Sequence, residues 1–396
     1  MQTRPCWVEI RTRSLEENYR FLQSLAAPHV ELLAIVKADA YGHSLDLCAP
    51  AAVRAGAKWL GVTSVEEGVS ARMACPEARV LVIGGAFPGQ GALVVEHGLT
   101  AVAWESWQLD ELEAAARSAG APAGSLPIHL EIDTGMSRQG VLPEGLAAAL
   151  ARFTPESPLQ LEAIMTHLFA ADEANGVVTR DQLARLDKVL GKVKAAGVQV
   201  EWLNVGSSAA LLAGQAETVA AMAGRWGMKA MMRPGLALYG LAPQFEPPFE
   251  PNREPEAAAS ARTRLQPVLS WKTRVAGIRS VPAGAVVGYN GTFVAAQPTR
   301  LALIAAGYAD GLDRRLGNRF SLLVRGQHAP FAGRISMDQS VLDVTGIPGV
   351  EAGDEVVILG TQGFESISAF DHAEATETIP WEVFTRIGPR VPRVAV

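Results

Sequence analysis

LLAIVKADAYGH, residues 32–43, opens on a run that is apolar on both faces and ends at a lysine followed by a glycine turn. Runs of the same character return at WLGVTS (59–64), RVLVIGG (79–85), LTAVAW (99–104), PIHLEID (127–133), LQLEAIMTHL (159–168), VEWLNVG (200–206) and MMRPGLALYG (231–240). Their starts lie about 20 to 40 residues apart, the length of a strand and a returning helix. Strands greasy on both faces are what a parallel sheet covered by helices requires. Between them, SWQLDELEAAARSAG (106–120) and TRDQLARLDKVLGKVKAAG (179–197) carry helical periodicity, the second opening with Thr179 as cap and closing at Gly197. Eight such units predict an α/β fold, a (β/α)8 TIM barrel over residues 11–242.

The pattern changes after Tyr239. Residues 243–262, PQFEPPFEPNREPEAAASAR, hold five of the 24 prolines and read as a linker or surface excursion. Beyond them LSWKTRVAGI, GAVVGYNGTFVA, RLALIAAGYADG, SLLVRGQHAPFAGR, MDQSVLDVT and DEVVILG are strand-like with turn residues between, predicting a mainly antiparallel β domain over 263–396. The alternating CWVEI near the start places an N-terminal strand, within residues 1–10, in that second domain.

Composition limits the function. Of 396 residues 48% are apolar and 19% charged, so the chain folds around a sizeable core. The net charge of −6, with no block of five like charges, argues against nucleic acid and anionic membrane as partners. No apolar run reaches the roughly 18 to 20 residues of a membrane span, and no hydrophobic stretch precedes the first charges as a secretory signal would. Cys6, Cys48 and Cys75 are odd in number and lack metal-ligand spacing, so a reducing, cytoplasmic setting and no metal are expected.

A barrel works beyond the C-terminal ends of its strands. Lys37 lies there after the first run, Arg138 in DTGMSRQG after the fifth and His167 at the end of the sixth. Gly206, Ser207 and Ser208 follow the seventh, and Arg233, Pro234 and Gly235 the eighth. Singly, a lysine or arginine is a solvated charge and a histidine a satisfied core group; a set at one rim points to chemistry. Free lysine is protonated to all but about one part in 2,500 at pH 7, and burial in a barrel favours the neutral, nucleophilic amine. GSS and RPG let backbone N–H groups approach phosphate oxygens. The pairing implies a phosphorylated carbonyl compound on Lys37: an aldolase substrate or pyridoxal 5′-phosphate (PLP), the second fitting better a lysine on the first strand.

VKADAYGH, DTGMSRQG, IMTHLFAAD, SSAALL, RPGLALYGL, GYADGLDRRL and GRISMDQ together resemble alanine racemase, from about residue 5 to residue 393. The resemblance implies that Lys37 carries PLP as a Schiff base and is one of two bases flanking the alanine Cα. The other is Tyr289, in VGYNGTF, reaching the cofactor of a partner subunit. A phenol costs about 4 kcal/mol to ionise at pH 7, so His167 and a nearby arginine are expected to favour the phenolate by hydrogen bonding and positive charge. Arg233 resembles the residue facing the pyridine nitrogen, which a guanidinium leaves unprotonated. Arg138 resembles the one touching the phenolic oxygen and the substrate carboxylate. Tyr41, Ser208, Gly235 and Leu236 fall on phosphate positions; Tyr308 and Met337 fall on substrate-carboxylate positions supplied by the partner, with Asp338 beside them. The implied activity is interconversion of L- and D-alanine by a homodimer with shared sites, D-alanine feeding peptidoglycan.

Three positions depart from the family pattern. Glu131 stands where a carbamylated lysine is common, and is expected to orient Arg138 by a charge-assisted hydrogen bond. Asn204 replaces a histidine behind the pyridine arginine. Pro389, in IGPRVPR, replaces a tyrosine that touches phosphate and gates the entrance, and proline donates no hydrogen bond. A racemase of broader amino-acid specificity and a non-catalytic PLP carrier are the alternatives, the second leaving the β domain without a purpose. A basic amino-acid decarboxylase would need a cysteine in the second domain, and all three precede residue 76.

Overall fold

In the computed structural model, which describes residues 4–173, 176–245 and 255–396, eight parallel strands close on themselves. Strands are numbered in chain order from β1 (Cys6–Ile10), which belongs to the second unit. The barrel is β2 (Val30–Ile35), β3 (Trp59–Val62), β4 (Arg79–Val82), β5 (Thr100–Ala103), β6 (Leu126–Glu131), β7 (Leu159–Thr166), β8 (Trp202–Ser207) and β9 (Lys229–Arg233). Closure is made by β2, which pairs with β3 through Leu33↔Trp59 and with β9 through Val30↔Ala230. Every residue of β3 and β5 is buried, as a closed barrel demands, one face of each strand packing in the barrel interior and the other under the helices. Among the helices, Val65–Ala74 begins with a capping box in which Ser64 and Glu67 satisfy each other's backbone N–H.

The helix Val177–Ala195 corrects one expectation. Its cap is Gly176, left-handed at φ 61°, while Thr179 lies inside the first turn, buried, with Oγ1 donating to Ala170 O at 3.4 Å. Glycine takes that conformation without a Cβ clash, so the helix starts before the threonine.

The barrel unit comprises Arg13–Ala40 and Leu45–Gln266, the other unit the residues up to Thr12, Tyr41–Ser44 and Pro267–Val396. The expected linker is therefore only partly irregular. Glu256–Arg264 is a helix that buries Ala258 and Ala261 and falls in the barrel unit, because small residues three apart share one helical face. Residues 246–254 of that excursion lie outside the described residues.

In the second unit β10 (Leu269–Val281) is the spine. It pairs antiparallel with β1 through Cys6↔Thr273, and β1 pairs parallel with the C-terminal strand Arg393–Ala395. It also pairs antiparallel with Thr299–Ile304 and Glu355–Gln362. GAVVGYNGTFVA does not form one strand: two-residue pieces, Val286–Val287 and Phe293–Val294, flank a 3-10 turn at Tyr289–Gly291 with Asn290 at φ 61°. Among the described residues no helix is long and apolar enough to cross a membrane.

Candidate active site

The parallel ladder carries on past β2, Val36 N–H donating to Gly61 O at 2.8 Å, and delivers Lys37 to the C-terminal rim. The next turn is left-handed: Ala38, Asp39, Ala40 and Tyr41 have φ between 52° and 55°, and Gly42 has 76°. Each non-glycine there costs about 1–2 kcal/mol, so the turn must be held from outside. Glu67 Oε1 accepts Ala38 N–H, and Asp39 Oδ1 accepts Leu45 N–H at 2.7 Å. Lys37 Nζ makes no hydrogen bond or ion pair among the described residues. Burial first, then the positive charge of Arg138, holds the amine below its usual value against the opposing carboxylate of Glu67.

Arg233, at the end of β9, is buried, and both its terminal nitrogens have acceptors, Nη1 in Asn204 O at 2.9 Å and Asn204 Oδ1 at 2.5 Å and Nη2 in Thr166 O at 2.9 Å and His167 Nδ1 at 3.3 Å, which leaves its Nε–H to donate elsewhere. Burial lowers its proton affinity to about 10, which still leaves a full cation at neutral pH. His167 is driven to about 3 by burial and by Arg233, Arg138 and Lys37. It is therefore a neutral imidazole, and its expected contribution of positive charge is corrected: a ring whose Nδ1 lone pair faces a guanidinium cannot hold a second proton. Ser208 Oγ accepts the N–H groups of Gly235 at 2.8 Å and Ala237 at 3.2 Å, so its own hydroxyl proton is left to donate outward.

The expected Glu131–Arg138 bond is absent. Glu131 Oε2 instead accepts Gln139 Nε2 at 2.5 Å, and Arg138, exposed, has no hydrogen bond or ion pair among the described residues. Val141 N–H donates to Glu131 O, and Asp133 N–H to Val141 O; this folds 134–140 back over β6 with residue 139 facing inward and residue 138 outward. Burial raises the Glu131 carboxyl above the ordinary value despite Gln139 and the two arginines.

In the second unit Tyr41 is buried and its phenol is pushed up to about 12, a neutral donor. Tyr289 is 65% exposed on its turn, and Tyr308 and Met337 are also exposed. Two backbone bonds, Tyr308 N–H to Ser336 O and Ala309 N–H to Met337 O, clamp the loops of Tyr308 and Met337 together. A Cβ at Gly307 would collide with Ser336 O and Met337 O, which is why glycine precedes Tyr308. Sequence reasoning passed over Asp310. Fully buried, it accepts Arg4 at 2.7 Å, Arg390 at 2.8 Å and Gly307 N–H at 2.9 Å, and Arg390 in turn pairs with Asp338 at 2.8 Å. That gives Asp338 a partner; the arginine beside Pro389 was the available signal. Glu67 was also missed, although its Ser64 capping box is visible in TSVEEG.

The family model described as "Alanine racemase, N-terminal domain" matches residues 10–243, and "Alanine racemase, C-terminal domain" matches residues 268–395. The alanine racemase of Halothermothrix orenii is 35% identical over 392 residues, 99% of this chain and 97% of that one. The alanine racemase of Desulfosudis oleivorans is 36% identical, covering 98% and 96%. Among solved structures, alanine racemase from D-cycloserine producing Streptomyces lavendulae superposes with a TM-score of 0.88 at 34% identity, covering 100% of this chain and 98% of that one. The Bartonella henselae alanine racemase with covalently bound pyridoxal phosphate gives 0.82 at 26% identity, covering 100% of both chains. A barrel with a lysine and buried arginine at its rim, an antiparallel β unit and end-to-end similarity of this extent agree: the chain belongs to the alanine racemase family.

Proposed function

We propose that this protein is a PLP-dependent racemase interconverting L- and D-alanine, with Lys37 and Tyr289 as its two bases. The observation that carries the reading is the unpaired Lys37 amine, held below its usual proton affinity at the barrel rim beside Arg233. The donor set fits PLP. Lys37 offers a nucleophile to the aldehyde, Ser208 a free hydroxyl proton to the phosphate beside Gly235 and Leu236, and Arg233 a buried guanidinium to the pyridine nitrogen. His167, Tyr41 and Arg138 complete the assigned cofactor set.

When bound, PLP supplies an electron sink for the pair left on the substrate Cα. Lys37 Nζ takes or returns the Cα proton on one face and the Tyr289 Oη does so on the other, so inversion needs no rotation of the substrate. Arg233 keeps its proton, which leaves the pyridine nitrogen unprotonated and moderates the sink. Arg138, free of partners, binds the substrate carboxylate, joined by Tyr308 and Met337. Glu131 tethers the Arg138 loop through Gln139 rather than through Arg138 itself.

We further assign a homodimer with shared sites, a cytoplasmic setting and D-alanine supply for peptidoglycan. Exposure of Tyr289, Tyr308 and Met337 on the β unit supports the first, since such side chains gain by being covered; three buried free cysteines support the second. The test is racemisation of a panel of amino acids by protein saturated with PLP, with the cofactor spectrum recorded alongside. Alanine turned over fastest is the expected result. Absence of turnover with alanine overturns the reading, comparable rates across the panel favour the broad racemase, and Lys37→Ala must lose the borohydride-trappable cofactor.

A further inference from the structure

Inside the barrel a line of buried polar groups leads away from the rim. Arg233 Nη1 donates to Asn204 Oδ1 at 2.5 Å; Asn204 Nδ2 meets His129 Nδ1 at 3.2 Å; His129 Nε2 meets Glu162 Oε2 at 3.3 Å. Glu162 is then gripped by Arg79, Nη1 to Oε1 at 2.7 Å and Nη2 to Oε2 at 2.9 Å. The Arg79 guanidinium lies 3.9 Å over the Trp59 ring. Arg233 ends β9 whereas Trp59 and Arg79 begin β3 and β4, so the line joins the two ends of the barrel. Asn204, His129 and Glu162 are at most 4% exposed.

Such a line permits one arrangement of protons. Arg79 fixes Glu162 as an anion that only accepts, and His129 and Arg79 hold its carboxyl low against the cost of burial. His129 must then carry its proton on Nε2, which leaves Nδ1 a bare lone pair. That lone pair requires the Nδ2 end of Asn204, and the amide turned this way presents Oδ1 to Arg233. The reversed amide would set NH2 against guanidinium, two donors face to face in a site without water's dielectric, and would strand His129 Nδ1. The carbonyl of Asn204 adds a second acceptor to the same Nη1.

We propose that Glu162, His129 and Asn204 are positioning residues for Arg233: the far carboxylate selects one tautomer of His129, which fixes the end of the Asn204 amide that aims the guanidinium. This rests on the reading in which Arg233 faces the pyridine nitrogen. Because the amide of Asn204 cannot pass a proton, the line orients and does not relay.

The test reads the tautomer directly, in the holoenzyme without substrate, from long-range nitrogen–proton NMR correlations of histidine-labelled protein, His129 being assigned with His129→Gln. The wild type is expected to show His129 protonated on Nε2 alone. Glu162→Gln is expected to give a mixture of tautomers and a kcat for alanine lower by about tenfold with KM within about twofold, as loss of orientation does. Glu162→Asp, which keeps the charge, returns both toward wild type. Arg79→Gln, at the half-exposed mouth, releases Glu162 from outside the core and is expected to shift the same signals should Glu162→Gln fail to fold. A wild-type proton on Nδ1 overturns the proposal; so does a changed tautomer with unchanged kcat, or an unchanged tautomer in both variants. If wild-type protein does not racemise alanine, the functional reading falls, and the His129 tautomer still decides the wiring.

Discussion

Glu67 joins the turn after Lys37 to the loop after β3: its Oε1 accepts Ala38 N–H at 2.6 Å and its Oε2 accepts Thr63 N–H at 2.8 Å. Four consecutive non-glycine residues in the left-handed region, from Ala38 to Tyr41, store strain that such bonds must offset. Glu67→Ala removes both acceptors and the return half of the capping box. We expect it to lose about 1–3 kcal/mol of stability and to retain PLP less tightly, with Glu67→Gln intermediate. Urea midpoints with and without PLP check this; an unchanged midpoint in the alanine variant refutes the role.

Ser208 collects two backbone N–H groups from the segment 235–237. Ser208→Ala strands both in a buried place, so apo-protein stability falls by about 1–3 kcal/mol. PLP affinity should also fall, by about tenfold, because a phosphate donor is lost. Titration of apo-protein with PLP separates the two effects. A stability loss with no change in affinity removes Ser208 from the phosphate site.

Tyr289→Phe removes one proton donor and leaves the other. Exchange of the Cα hydrogen with solvent is expected to survive for one alanine enantiomer and to drop by about 100-fold or more for the other. Equal loss from both enantiomers argues against two bases. Mixing inactive Lys37→Ala and Tyr289→Phe chains should restore part of the activity if each site draws on two subunits, and no recovery after verified subunit exchange assigns self-contained sites.

His129, His167 and His372 are each held below the ordinary 6.5, burial being the largest cause in every case. Unfolded chain binds these protons below about pH 6.5 while folded chain refuses them, down to about 3 for His167. The unfolded state then binds more protons, so stability declines as pH falls below 6.5 and is level above it. Each excluded proton contributes a slope of about 1.4 kcal/mol per pH unit. Urea midpoints between pH 7.5 and 5 should follow this, with a shallower slope for His372→Gln. A midpoint independent of pH across that range contradicts it.

Strand order and rim were legible because both are local. An apolar run of strand length followed by a helical period announces a barrel unit wherever it sits, and the residue after the run is at the working end by construction. Lys37, His167, Ser208 and Arg233 were found this way. Tyr289, Tyr308 and Met337 were reached through motif resemblance, since nothing periodic marks a 3-10 turn or a loop.

Partners across the barrel were decided by tertiary structure alone. That Gln139 rather than Arg138 covers Glu131, that His167 is neutral, and that Asn204, His129 and Glu162 align between Arg233 and Arg79 all depend on the angle each strand takes around the closed sheet. Stagger and register set that angle, and a one-residue slip would turn the side chains carried on strands, Arg79, His129, Glu162, Asn204 and Arg233, to the other face. The sequence by itself determined the barrel, the second β unit and the kind of chemistry at the rim, because patterning acts on neighbours in the chain; which polar groups meet inside was decided by closure, because it joins residues up to 154 positions apart, from Arg79 to Arg233.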